Sequence, residues 1–304
     1  IEQTFANLLG KQVQVEFISK EMEIKPQDEE MEFFQPPQTT TSIINPKYTL
    51  ENFVVGPSNN VAFAAAQAVV QNPGTSYNPL FLYGGTGVGK THLMLGIGNA
   101  LLSKKVHLKI IYCSSEKFMN DYVTAIQEHK MGDLRKRYRS CDILLIDDIQ
   151  FFSGREGTQE EFFHTFNELQ SRNAQMILTS DRIPQEIAKL EDRLKSRFVG
   201  GLAIDIQLPD FDTRVAILRS ICFELVVTMP EDSLKLIASS MDSNIRELEG
   251  KLVQIVQNLK ARNLIPTPEI VAGFLNQPLK KSNYIDPKNV LSAICSFFNI
   301  SLKD

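Results

Sequence analysis

Eight consecutive residues carry the clearest chemistry in the chain. Gly84-Gly85-Thr86-Gly87-Val88-Gly89-Lys90-Thr91 fits the pattern G-x-x-x-x-G-K-[ST] with no mismatch. Glycine lets backbone N–H groups close around phosphate oxygens, because no Cβ blocks the approach. The N-terminus of a following helix favours the same anions. Lys90 supplies a positive charge for the β- and γ-phosphates of a nucleotide, and the Thr91 hydroxyl a ligand for Mg2+. His92 follows directly.

A second chemical stretch is Ile143-Leu144-Leu145-Ile146-Asp147-Asp148, four apolar residues and then two carboxylates. An NTPase built on a parallel sheet needs such a strand to hold its metal. Asp147 is the expected Mg2+ ligand, directly or through water, and Asp148 the group that polarises the attacking water. Thr179-Ser180-Asp181 ends a later strand with polar groups that can sense a γ-phosphate. Arg193 and Arg197 lie four residues apart and share a helical face. Their planar charged forks suit phosphate. Asn244-Ile245-Arg246-Glu247 opens a further helix with an arginine in its first turn. Each of these charged runs alone also describes a solvated helix face. Their order along the chain favours the nucleotide reading.

Positioning these residues requires strands and helices in alternation. Asn78-Pro79-Leu80-Phe81-Leu82-Tyr83 is a short apolar run bounded by Pro and Gly, a buried strand leading into the phosphate loop. Residues 91–102 form a buried helix carrying Leu93, Leu95, Ile97, Leu101 and Leu102. Further strands are expected at 106–114, 143–148, 175–179 and 202–206. Helices are expected at 59–71, 116–129, 133–140 and 158–171. This alternation implies a five-stranded parallel sheet covered on both faces. Phe162, Phe163, Phe166 and Leu169 define the buried face of 158–171, and His164 among them reads as a packed core histidine. Beyond Pro209 only helical patterns remain, at 212–224, 231–241, 244–262 and 268–275, so a small all-helical domain follows.

The flanks differ. Residues 1–18 read as the remnant of a preceding domain, and 19–46 as a flexible linker that is acidic and then rich in Gln, Thr and Pro. The expected domains are 47–208 for the α/β unit, 209–275 for the helical one, and 276–304 for a connector and the start of another helix near Pro287. The chain begins with Ile and ends abruptly, as a fragment would.

A chain of 304 residues exceeds one small domain, and 43% hydrophobic with 22% charged residues is ordinary for a globular protein. A net charge of −4 gives no global sign of nucleic-acid binding, so any such contact must be local. Cys113, Cys141, Cys222 and Cys295 lack C-x-x-C spacing and give no zinc motif; they read as small hydrophobes in a reduced compartment. No run of 18 apolar residues and no signal peptide is present, and a cytoplasmic location is expected.

Taken together, NPLFLYGGTGVGKTH (78–92), LLIDDIQFF (144–152), TQEEFFHTFN (158–167), LTSDR (178–182), EDRLKSRF (191–198) and RELEG (246–250) make the stretch from Tyr48 to Leu275 resemble the bacterial chromosomal replication initiators of the DnaA family. The resemblance implies an AAA+ ATPase with a helical lid. Such a protein binds ATP or ADP with Mg2+, assembles on origin DNA as an ATP-dependent homo-oligomer, opens the duplex, and hydrolyses ATP slowly as an off-switch. By resemblance, Asp181 falls on the first sensor, Arg197 on the arginine finger and Arg246 on the second sensor, while Val54 and Val55 flank the adenine. The family's extra helical segment corresponds to 116–140. There Val123, and Arg155 further on, are implied to touch single-stranded DNA, with the basic run of Lys130, Arg135, Lys136, Arg137 and Arg139 suited to phosphates. The family commonly has Lys-Glu-Arg before the T-Q-E-E-F-F run. This chain has Arg155-Glu156-Gly157, so the second basic group is missing. Implied partners are origin DNA, read as duplex by a domain beyond residue 304, the replicative helicase and its regulators, and acidic membrane lipids. A regulatory paralogue or a helicase-loader-type ATPase working through protein contacts is the competing reading.

Overall fold

The strand runs pair as one parallel sheet in the computed structural model, which describes residues 44–104, 108–241 and 244–275. The strands are β1 (Leu80–Tyr83), β2 (Ile110–Ser114), β3 (Ile143–Asp147), β4 (Gln175–Ser180) and β5 (Leu202–Asp205), in the spatial order β2-β3-β4-β1-β5. All four pairings are parallel. The second strand begins at Ile110, later than its apolar run, because residues 108 and 109 precede the ladder. The expectations for 1–18, for most of 19–46, for 105–107 and for 276–304 lie outside the described residues.

Successive strand residues point to opposite sides. Phe81, Ile111, Leu144, Ile146, Met176 and Leu178 enter one core. Leu80, Leu82, Ile110, Ile143, Leu145 and Ile177 enter the other. Both faces are apolar because both are covered, which is why these strands read as continuous hydrophobic runs. The helices α1 (Asn60–Gln71) and α2 (Lys90–Lys104) pack on the second core. The first is covered by α3 (Ser115–Gln127), α4 (Met131–Arg139), α5 (Glu156–Ser171) and α6 (Asp192–Val199).

On α5 the spacing of Phe162, Phe166 and Leu169 places them on one face, and each is fully buried. His164 is exposed, against the expectation of a core histidine. It lies two residues from Phe162 and Phe166, roughly 200° around a helix of 3.6 residues per turn, so neighbours in sequence are opposite in space. A second correction concerns the linker. Ile44 is only 6% exposed and packs in the second core, where a Cβ on Gly98 would lie 2.7 Å from its Cδ1. A single apolar anchor within a polar stretch leaves no periodic signal.

After β5 come α7 (Phe211–Glu224), α8 (Glu231–Ser239), α9 (Ile245–Ala261) and α10 (Pro268–Leu275). Val215, Leu218, Leu234, Ile237, Leu252, Ile255 and Val271 give these helices a core of their own. Asp210 caps α7, its carboxylate accepting from Thr213 N at 2.8 Å. Asn244 caps α9, accepting from Glu247 N at 3.0 Å and donating to Glu247 Oε1 at 2.9 Å.

Candidate nucleotide site

The strand order decides what meets at the carboxyl edge of the sheet. Because β1, β4 and β3 are adjacent, the phosphate loop after Tyr83, the Asp181 turn after Ser180 and the acid pair at the end of β3 emerge side by side. Ligands of open α/β sheets bind at this edge, where the strand order reverses.

The loop itself is shaped by glycine. Gly84 has φ +143°, and a Cβ there would lie 2.1 Å from Ile206 O. Gly87 has φ +72°, and a Cβ there would meet Asn244 Oδ1 at 2.8 Å. The close approach of Asn244 has a purpose: Ile245 N donates to Gly87 O at 2.9 Å, joining the phosphate loop to the first turn of α9. Arg246 is the next residue, and it lines the same cleft as Thr86, Gly87, Gly89, Lys90, Thr91 and His92. Gly85 is exposed on the loop, and Val88 is buried in the core beneath it.

Lys90 is 7% exposed, and its Nζ donates to Gly84 O at 2.9 Å and to Gly85 O at 2.8 Å. Burial draws its ammonium below the ordinary lysine value, opposed by the charges of Asp148, Asp147 and Asp181. Thr91 Oγ1 donates to Asp147 Oδ2 at 2.8 Å, and Thr179 donates to Asp147 Oδ1. Asp147 is therefore buried behind Thr91 rather than on the cleft wall. Burial pushes its pKa up, while the Thr179 hydrogen bond pulls it back. No cluster of three or more His, Cys, Asp or Glu side chains with metal-site geometry occurs among the described residues. The oxygen donors of Thr91 and Asp147 nevertheless suit Mg2+, which commonly takes one or two protein carboxylates and completes its shell with phosphates and water.

Asp148 stands in the left-handed region, φ 59° and ψ 52°, a conformation that Asp tolerates better than most residues. Its backbone is held on both sides: its N–H donates to Thr179 Oγ1 at 3.0 Å, and its carbonyl accepts from Ser115 Oγ at 2.6 Å. The chain thus turns away from β3, and Asp148 lines the cleft. Asp181 lines it too, paired with Arg182, whose Nε and guanidinium NH2 donate at 2.8 and 2.6 Å. Those hydrogen bonds hold the Asp181 carboxyl below its ordinary value.

The opposite wall comes from the strap before α1 and from the late helices. Tyr48, Asn52, Phe53 and Val54 face Ile217, Ile221 and Glu224 of α7 and Glu249 of α9 across a cleft of about 710 Å3. Val54 is on this wall. Val55 is not; it is 45% exposed and does not line the cleft. Lys47 Nζ lies 3.5 Å from Glu224 and 3.3 Å from Glu249, joining the strap to both late helices. His92 Nε2 contacts Thr49 O at 3.1 Å and Asn52 Oδ1 at 2.9 Å, both acceptors, so this nitrogen carries the proton. Nothing in the local spacing of Lys47, Glu224 or Glu249 could have identified them.

The remaining residues of interest lie outside the cleft. Arg197 is exposed on α6, its guanidinium donating to Gln170 Oε1 at 3.1 Å. Its helical neighbour Arg193 stacks 4.5 Å over the Phe163 ring and pairs with Glu191. Val123 is exposed on α3, and Arg155 is exposed just before α5. A Cβ at Gly157 would lie 3.1 Å from Tyr122 Oη, so the start of α5 packs one residue from Val123. Four of the five cations of the basic run are already paired: Lys130 with Glu128, Arg137 with Asp121, and Arg135 and Arg139 with the buried Glu161. Arg135 and Arg139 share the single buried carboxylate of Glu161, and Arg137 shares Asp121 with Lys117, so the run keeps a positive excess at the surface of α4.

Comparison with known proteins supports the same fold. Residues 44–205 match the family model described as the bacterial DnaA ATPase domain. The chromosomal replication initiator protein DnaA of Nautilia profundicola is 43% identical over 305 residues, covering 99% of this chain and 68% of that protein. The chain spans 61 to 68% of the length of the relatives it matches. Among solved structures, domain III of the Thermotoga maritima replication initiation protein DnaA is 42% identical with a TM-score of 0.74, covering 77% of this chain and 98% of that one. A replication initiator DnaA solved with AMPPCP and single-stranded DNA is 33% identical with a TM-score of 0.66, covering 86% of this chain and 77% of that one.

Proposed function

The chain belongs to the bacterial DnaA ATPase family, and on that premise we propose that it binds ATP with Mg2+, assembles with copies of itself at a replication origin and helps to open the duplex. Slow hydrolysis then serves as the off-switch. One observation carries the proposal: the phosphate loop is bonded to the first turn of α9 through Gly87 O and Ile245 N, with Arg246 beside it in the cleft. Occupancy of the loop is thereby felt by a separate helical unit, as a nucleotide-controlled switch requires.

In this reading Lys90 and the loop amides hold the β- and γ-phosphates, and Thr91 and Asp147 hold Mg2+, which supplies charge neutralisation there. Asp148 accepts a hydrogen bond from the attacking water. Asp181, neutralised by Arg182, and Arg246 sense the γ-phosphate from two sides, while Val54 and Phe53 pack on the base. Arg197, outside the cleft, acts on a neighbour's nucleotide. Val123 and Arg155 provide the single-strand contact; that a relative is solved with single-stranded DNA supports single-strand binding as such.

The test is duplex opening with a chain extended to the length of its relatives, on a supercoiled origin template probed by single-strand-specific cleavage. ATP and AMPPCP should support opening, and ADP should not. Equal opening with ADP, or opening undiminished in Lys90→Ala, would overturn the proposal.

A further inference from the structure

We propose that Gln150 is a positioning residue for ATP hydrolysis, its carboxamide fixing the Asp148 carboxylate against the end of β4. The inference rests on the reading of Asp148 given above and adds the residue that orients it. Gln150 Nε2 donates to Asp148 Oδ1 at 3.1 Å, and Gln150 Oε1 accepts from the Asp181 backbone N–H at 3.2 Å. Only one orientation of the amide satisfies both bonds, because the backbone N–H demands the oxygen and the carboxylate demands the NH2. Gln150 also lines the cleft.

The need for such a residue follows from Asp148 itself. Its main chain is pinned by Thr179 and Ser115, but neither of those bonds touches the carboxyl. Gln150 supplies the side-chain hydrogen bond to that carboxyl found among the described residues. With Oδ1 engaged, the second oxygen is left to accept from water. In hydrolysis the water oxygen bonds to the γ-phosphorus. The bond from that phosphorus to the β,γ-bridging oxygen breaks, its electron pair staying on ADP. The water's proton leaves through the Asp148 carboxylate to the phosphate released. Aspartate has a short reach, so a wandering carboxylate would lose the alignment that hydrolysis depends on. The same amide bonds Asp181, so the water-polarising group and the γ-phosphate-sensing turn are held in one register.

The experiment uses Gln150→Ala, Gln150→Glu and, as control, Asp148→Asn in the full chain, with melting temperatures confirming folding. Gln150→Ala should lower kcat about tenfold, a part of the roughly 10²–10⁴-fold that a positioned proton acceptor itself carries. Its affinity for AMPPCP should stay within twofold, while affinity for ADP with aluminium fluoride, which mimics the transferring phosphoryl group, should fall by a factor similar to kcat. Gln150→Glu keeps an acceptor for the Asp181 N–H but replaces the donor to Asp148 by a carboxylate oxygen, and should slow hydrolysis at least as much as Gln150→Ala. Unchanged hydrolysis in Gln150→Ala alongside a slowed Asp148→Asn would overturn the inference alone. Equal loss of AMPPCP and aluminium fluoride complexes would assign Gln150 to general nucleotide binding and overturn it too. Unimpaired hydrolysis in Asp148→Asn would instead remove the underlying reading of Asp148.

Discussion

Thr91 reaches across 56 residues of sequence to place its hydroxyl 2.8 Å from Asp147 Oδ2. The other carboxyl oxygen accepts from Thr179, whose own oxygen accepts from Asp148 N at 3.0 Å. One buried hydroxyl therefore sets both acids. Thr179→Val keeps the shape and removes the hydroxyl, leaving the Asp148 N–H without its partner. Stability should fall by about 1–3 kcal/mol, the cost of an unsatisfied buried donor. Urea unfolding would measure it, and a change below about 0.3 kcal/mol would mean that water replaces the hydroxyl. Because the Thr179 bond pulls the Asp147 pKa down against burial, the variant should also bind Mg-ATP less tightly near pH 6 than near pH 8.

Lys90→Ala should weaken ATP binding by at least about a hundredfold, since hydrogen bonds from a charged group contribute about 1.5–3 kcal/mol each. The ammonium also staples Gly84 and Gly85, so Lys90→Met, which retains the buried stem, separates lost charge from a loosened loop. Equilibrium dialysis with labelled ATP measures both variants. Retention of nucleotide by Lys90→Met would show that the charge is dispensable.

His92 makes the strap side of the cleft sensitive to pH. Burial lowers its pKa from the ordinary 6.5, with Lys47 acting in the same direction and Thr49 O, Glu224 and Glu249 against it. The folded state thus prefers the neutral ring. Its contribution to stability is complete above 6.5 and is lost as pH falls from there through the folded value, where the unfolded chain binds the extra proton. The Tyr48 and Phe53 rings, 5.1 and 5.3 Å away, leave a charged imidazole little room for water. The melting temperature should fall between pH 7.5 and pH 5.5, and His92→Gln should flatten that slope. An unchanged slope would place the titration elsewhere.

What can be read in the sequence is whatever is local. The phosphate loop is eight contiguous residues, and the acid pair directly ends an apolar strand, so their types and spacing carry the chemistry before any folding. The five strands are legible because a sheet covered on both faces forces unbroken apolar runs. His164 escapes for the converse reason: contiguity with phenylalanines says nothing about the helical face. The bonds of Lys47 to Glu224 and Glu249 depend on helices that return to the strap after some 200 residues, as the separation of 202 to Glu249 shows. Gln150 stands two residues from Asp148, yet its significance appears only when β4 lies alongside and offers the Asp181 N–H. The pairing of Arg135 and Arg139 with Glu161 likewise ties part of the basic run into packing.

Arg197 and Arg246 divide the arginine chemistry between two places. Arg246 lines the chain's own cleft, reached from the helix bonded to the phosphate loop. Arg197 is exposed on α6 and outside that cleft, bonded to the neutral Gln170. A guanidinium so placed can pair bidentately with a γ-phosphate presented by another copy, a group that ADP lacks. Arg197→Ala should therefore leave ATP affinity within twofold and abolish ATP-dependent assembly, whereas Arg246→Ala should weaken discrimination between ATP and ADP within one copy. Because Gln170 holds Arg197 through an exposed hydrogen bond, Gln170→Ala should reduce assembly only modestly, by about 1 kcal/mol or less. Nucleotide titration beside light scattering on the same preparations tests the division, with the chain extended to the length of its relatives if assembly is weak. Lost ATP affinity with intact assembly in Arg197→Ala would place that arginine's action inside its own copy.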